Sequence, residues 1–143
     1  MATRKIAEVI QGQQILTAAG GLTVLEASQQ MKSAHVGSIM VVDSGRLVGI
    51  FTERDALNRV LAERRDPETT VLAEVMTANP QTIDPERPLG HAMHLMNDGG
   101  FRHVPVVKDG RPVGMISARD ALGVELTAFE HELKQRESIS ELL

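Results

Sequence analysis

Two stretches of this chain hold the residues best suited to chemistry: Gly49-Ile50-Phe51-Thr52-Glu53-Arg54-Asp55 and Gly114-Met115-Ile116-Ser117-Ala118-Arg119-Asp120. Each reads Gly-x-x-Thr/Ser-x-x-Asp. A hydroxyl three residues before a carboxylate is the pattern of a helix capping box, in which the hydroxyl accepts from an orphan N–H and the acid benefits from the helix dipole. The same atoms suit a nucleotide. A strand-to-helix junction offers unpaired N–H groups to an anion, glycine lets a ligand approach the backbone, and an ionised Asp can accept from the two cis hydroxyls of a ribose. Arg54 and Arg119, one residue earlier, can turn toward a phosphate. Capping and binding are compatible, and the residues alone do not choose between them.

The elements that must position these segments repeat. The sequence matches itself at one offset, 65 residues, the distance from Gly49 to Gly114. No gap is needed. Fourteen identical pairs share this register, among them Thr17 with Thr82, Ala27 with Ala92, Met31 with Met96 and Asp55 with Asp120, and most lie between Val41 and Leu61. Each copy predicts an extended piece (Ile15 to Thr17, Gln81 to Ile83) and an amphipathic helix (Val24 to Ala34, Leu89 to Asp98). A β-branched run follows (Ile39 to Val42, Val104 to Val107), then a two-residue turn at Ser44-Gly45 or Asp109-Gly110. The returning strand is Arg46 to Phe51 or Arg111 to Ile116, and a second helix starts at Glu53 or Ala118. Pro105 and Pro112 must sit where no ladder donor is needed. The segment Asp66-Pro67-Glu68-Thr69-Thr70 is turn-like, and Val71 to Met76 reads as a short helix. Residues 5–65 thus form the first repeat and 71–127 the second, with 128–143 a helical extension. The expected fold is α/β (α+β), with tandem β-α-β-β-α units packed sheet to sheet and a long C-terminal helix from Arg119 to Arg136. Its stripe of Leu122, Leu126, Phe129 and Leu133 is core or a seam for a second subunit.

Composition removes several classes. At 143 residues, 42% hydrophobic and 24% charged, the balance is that of an ordinary globular chain. No apolar run would span a bilayer and the first residues lack a signal-peptide pattern, so a cytoplasmic location with no membrane partner is expected. The absence of cysteine excludes disulfides and thiolate chemistry. A net charge of −4, no basic stripe, and three Phe without Tyr or Trp speak against nucleic acid as the partner. His91 and His94 lie one helical turn apart but lack a third metal ligand nearby in sequence, so no metal site is expected. Ser117 and Asp120 lack an obvious partner imidazole, and His103 is the one residue that could change this. No catalytic residue is assigned and an enzyme is not expected.

The doubled unit, the runs Ser38-Ile39-Met40-Val41-Val42-Asp43 and His103-Val104-Pro105-Val106-Val107, and the two Gly-x-x-Thr/Ser-x-x-Asp segments together resemble a CBS-domain pair, or Bateman module, over residues 5 to 127. The resemblance implies a regulatory, signal-transducing module that requires no cofactor and binds an adenosine compound (AMP, ADP, ATP, S-adenosylmethionine or NAD) in clefts between the repeats. It implies that Asp55 and Asp120 hold ribose hydroxyls and that Thr52 and Ser117 contact ribose or phosphate. Adenine would lie near Thr17, Val36, Ser38, Thr82 and Phe101. Arg102 and His103, which stand where the first copy has Gly37 and Ser38, would reach phosphates and, because the clefts adjoin, could serve either one; two sites of unequal affinity are expected. A homodimer and an unidentified regulated protein are the implied partners. The alternative is a ligand-free scaffold that works through its C-terminal helix.

Overall fold

Val24, Ala27 and Met31 recur at helical spacing and are buried, as are Leu89, Ala92 and Met96, so each set turns one helix face inward. In the computed structural model, which describes residues 4–121, 123 and 132–136, these faces belong to α2 (Val24–Ala34) and α5 (Leu89–Gly99). The chain begins with a short α1 (Ile6–Val9) and β1 (Thr17–Ala19) ahead of α2. The hairpin β2 (Ser38–Asp43) and β3 (Arg46–Thr52) follows, then α3 (Glu53–Asp55), which continues as a π-helical segment, Ala56–Leu61. After α4 (Leu72–Val75) and β4 (Thr77–Ala78) come α5, the hairpin β5 (His103–Lys108) and β6 (Arg111–Ser117), and α6 (Ala118–Ala121). The stripe positions Leu122, Leu126 and Phe129, and most of the expected extension 128–143, lie outside the described residues.

Both hairpins turn as their sequences require. Ser44 and Gly45 have φ of 52° and 78°, and Asp109 and Gly110 have 52° and 80°. Positive φ at both central residues matches the twist of the flanking strands, and glycine adopts it without steric cost. The two tips meet: Leu47 N–H donates to Gly110 O (3.0 Å), while the Arg46 side chain packs over Gly110 and Arg111 over Gly45.

The halves differ in their sheets. In the first, β1 runs parallel to β2 and the rest is antiparallel, in the order β1-β2-β3-β4. The expected extended piece at Ile15 to Thr17 is shifted, because pairing with Met40 begins only at Thr17. In the second half β5 and β6 pair, and Ile83 alone takes the place of β1 through a bridge to Val106. Where β4 pairs with β3 at Gly49 and Ile50, the second half substitutes one side chain. Gln13 Nε2 donates to Met115 O (3.0 Å), and Met115 N–H donates to Gln13 Oε1 (2.8 Å). Met115 therefore directs both backbone groups away from β5. Pro105 opposite it occupies a non-hydrogen-bonded pair, where no N–H is needed.

Packing does not follow the repeat boundaries. Leu72 and Val75 of α4 are buried with Val24, Ala27, Ile39, Val41 and Phe51 of the first half. Ile6 of α1 is buried with Ile83, Ala92, Val104 and Ile116 of the second. Each core is closed by the segment that precedes the other repeat. Strand glycines admit these segments: a Cβ on Gly49 would overlap the Met76 side chain, and one on Gly114 would lie 2.7 Å from Ile10 Cγ2 and 2.8 Å from Ile10 Cβ.

Met76 is unbranched and can swing aside, whereas Ile10 is held close to its own backbone. Gly114→Ala should therefore lower stability by about 1–3 kcal/mol and Gly49→Ala by less. Chemical denaturation checks the order, and Ile10→Ala should restore part of the Gly114→Ala loss.

Candidate functional site

Each strand-to-helix junction is a closed hydrogen-bond unit. Asp55 Oδ2 accepts from the Thr52 backbone N–H (3.0 Å) and from Thr52 Oγ1 (3.2 Å), while Asp55 N–H donates to Thr52 Oγ1 (3.2 Å). Asp120 Oδ2 accepts from Ser117 N–H (2.9 Å) and Oγ (3.0 Å), and Asp120 N–H returns a bond to Ser117 Oγ (3.2 Å). The capping-box reading is thus correct in both copies. It uses one carboxylate oxygen, Oδ2, in each aspartate.

The two carboxylates differ in their second oxygen. Asp55 Oδ1 lies 3.6 Å from Arg59 Nε, one turn along the helix, and Asp55 is buried. Arg59 also donates through Nη1 to Val75 O (3.2 Å) and Met76 O (2.8 Å), tying the junction to the end of α4. In the second repeat the residue four past Asp120 is Val124, which cannot make this pair. Asp120 is correspondingly half-buried, and its Oδ1 has no hydrogen-bond partner among the described residues.

A cavity adjoins each junction. The first, about 510 Å³, is lined by Thr52, Arg54 and Asp55 from one half and by Phe101, Arg102 and His103 from the other. The second, about 720 Å³, is lined by Ser117, Arg119 and Asp120 together with Val36, Ser38, Arg102 and His103. Both volumes lie in the range of small-molecule sites. Thr17 and Thr82 fall in neither lining. Arg54 is already engaged, its Nη1 donating to Gly100 O (3.1 Å). Arg102 and His103 do not belong to one cleft: with Glu53 they form a wall common to both.

Sequence reasoning passed over Glu53, Arg59 and the approach segments Gln14 to Leu16 and Asn79 to Gln81, which line the second and first cavities respectively. The signal was present. The two approach segments are related by the same 65-residue offset that joins Gly49 to Gly114, and Arg59 stands four residues after Asp55.

His103 is cross-strand neighbour to Ser117, so the structure brings Ser117, His103 and Asp120 together. Their order is wrong for nucleophile activation. Ser117 Oγ donates directly to Asp120, and no hydrogen bond joins it to His103. Burial pushes the His103 pKa below its ordinary 6.5, and the Arg102 charge lowers it further. The nearby Glu53 and Asp120 carboxylates act in the opposite sense. The imidazole is therefore neutral near pH 7. His91 and His94 are exposed on α5, and no group of three or more metal-ligating side chains occurs among the described residues. No helix of the described residues is long and apolar enough to cross a membrane.

Comparison with known proteins gives the same assignment twice along the chain. The CBS domain family matches residues 6–62 and again 72–126. The CBS domain-containing protein CBSX3, mitochondrial, of Arabidopsis thaliana is 35% identical over 118 residues, covering 79% of this chain and 57% of that protein. The chain thus spans little more than half of that relative, and 20% of a second Arabidopsis protein, CBSCBSPB2. Among solved structures, a putative signal-transduction protein with CBS domains from Burkholderia ambifaria superposes with a TM-score of 0.80 at 28% identity, covering 87% of this chain and 95% of that one. The CBS domain pair of protein MJ0100, in complex with 5′-methylthioadenosine and S-adenosyl-L-methionine, superposes with a TM-score of 0.77 at 26% identity, covering 85% and 98%. Two family matches, two like junctions and two adjoining clefts place this chain in the CBS domain family, as a tandem pair.

Proposed function

We propose that the chain is a regulatory module that binds adenosine compounds in the two clefts, with Asp55 and Asp120 receiving the ribose hydroxyls. The observation that carries this reading is the doubled junction. In each copy a carboxylate fixed by its own cap turns toward a cavity lined by both halves of the molecule. The donor set fits an adenosine compound: a carboxylate for cis hydroxyls, Thr52 or Ser117 beside it, apolar Phe101 or Val36 for a base, and Arg102 for an anion. The MJ0100 pair, bound to two adenosine derivatives, lends support from a related fold. A binding role also suits Ser117, whose hydroxyl is spent on the cap.

Regulation follows from where the clefts lie. A ligand touching both halves shifts their arrangement only by its different affinity for two arrangements. Arg59 offers such a lever, because a ribose that takes over Asp55 Oδ1 competes with the guanidinium that also holds the end of α4. A homodimer is part of this reading, supported by Leu57 and Leu61, which are 55% and 72% exposed on the π-helical segment.

Titration calorimetry with AMP, ATP, S-adenosylmethionine and NAD tests the ribose assignment. Asp55→Asn and Asp120→Asn should each remove one binding event, and unchanged binding in the double variant would refute the roles given to these carboxylates. A second expectation concerns pH. Because folding lowers the His103 pKa below 6.5, the folded protein binds fewer protons than the unfolded chain just below that value. The contribution of His103 is therefore fully present above about pH 6.5 and is lost as pH falls through the depressed value. Melting curves between about pH 7.5 and about pH 5.5 should show a smaller drop for His103→Gln than for the unaltered chain.

A further inference from the structure

Glu53 stands at the one place where the two clefts touch. It lines both of them, together with Arg102 and His103. Its backbone N–H donates to Gly37 O (3.0 Å), and its side chain folds over that glycine: a Cβ at position 37 would lie 3.1 Å from Glu53 Oε1 and 3.5 Å from Oε2. The bare Gly37 is what leaves room for the carboxylate there. No Lys, Arg or His pairs with it among the described residues.

The other repeat repeats the backbone and inverts the charges. Ala118 N–H donates to Arg102 O (2.9 Å), the counterpart of the bond from Glu53 to Gly37. Gly37 with Glu53 in one half thus corresponds to Arg102 with Ala118 in the other, so the common wall carries one anion and one cation, with neutral His103 between the clefts. The remaining cations of the first cleft are engaged, Arg54 by Gly100 O and Arg59 by Asp55 and the end of α4. A ligand tail that reaches the wall meets Arg102 and, beside it, the unpaired Glu53 carboxylate. The Coulomb energy that Glu53 adds to this encounter scales with the net charge of the tail: none for a neutral group, unfavourable and growing along a phosphate chain, favourable for a cation.

We propose that Glu53 sets the charge class of the ligand, disfavouring extended polyphosphates and favouring adenosine derivatives whose 5′ substituent is neutral or cationic. This rests on the reading of the clefts as adenosine sites. It predicts a property of the ratio between ligands, not of binding as such, and so can fail while that reading stands.

The test compares dissociation constants of adenosine, ATP and S-adenosylmethionine by calorimetry, each expressed relative to adenosine. Because Glu53 is solvent-exposed, the effect is that of a screened charge, about three- to fivefold. Glu53→Gln should tighten ATP relative to adenosine by about that factor and weaken S-adenosylmethionine by a similar one. Ala118→Glu, which adds a carboxylate at the equivalent position, should act in the opposite direction on ATP. Ratios that stay fixed in both variants while adenosine still binds overturn the role of Glu53 and leave the cleft assignment intact. If none of the three compounds binds the unaltered chain, both fall together.

Discussion

Each half of the molecule is completed by a segment the chain supplies just before the other half. Ile6 closes the core built from Ile83, Val104 and Ile116, and Leu72 with Val75 closes the one built from Ile39, Val41 and Phe51. A unit of this size has little apolar surface to spare, and burying these side chains elsewhere would leave a gap in each core. The exchange therefore holds the halves together more firmly than surface contact between two finished domains. The clefts inherit their geometry from it, since the approach segments Gln14 to Leu16 and Asn79 to Gln81 are the continuation of the exchanged pieces.

Within that frame the junctions serve stability with the same atoms that the proposed recognition would use. The cap spends Oδ2 of each aspartate and fixes its rotamer, so the remaining oxygen is presented without further ordering cost. The first junction adds a restraint that the second lacks, the Asp55 to Arg59 pair. The expected difference between the sites is thus relocated. It lies less in Arg102, His103 and Glu53, which both clefts share, than in Arg59, which only the first junction has.

Much of this was legible in the sequence because it depends on short-range rules. Helix α2 spans Val24 to Ala34 as its apolar spacing indicates, and both turns fall where Gly45 and Gly110 require them. The capping box is a four-residue pattern, and it formed twice. What stayed hidden depends on contacts between unlike parts. An internal repeat pairs each residue with its copy, whereas the exchange pairs α1 with the second half and α4 with the first. The edge bond of Gln13 to Met115 spans most of the chain and imitates a strand with a side chain, which no periodicity records. Glu53 was overlooked because its meaning lies in Gly37, a residue that matters for the space it leaves.

The exchange also bears on synthesis from the N-terminus. The first core has all of its residues once the ribosome has passed Met76. Ile6, although made before the whole of that core, has no buried place until Ile116 has been added. Helix α1 must wait with its apolar side chains in water while the residues up to Ile116 are translated, and elongation at roughly 5–20 residues per second makes that wait several seconds. Over that interval α1 is an unburied apolar segment beside an already folded half, and β6 is the strand whose synthesis captures it.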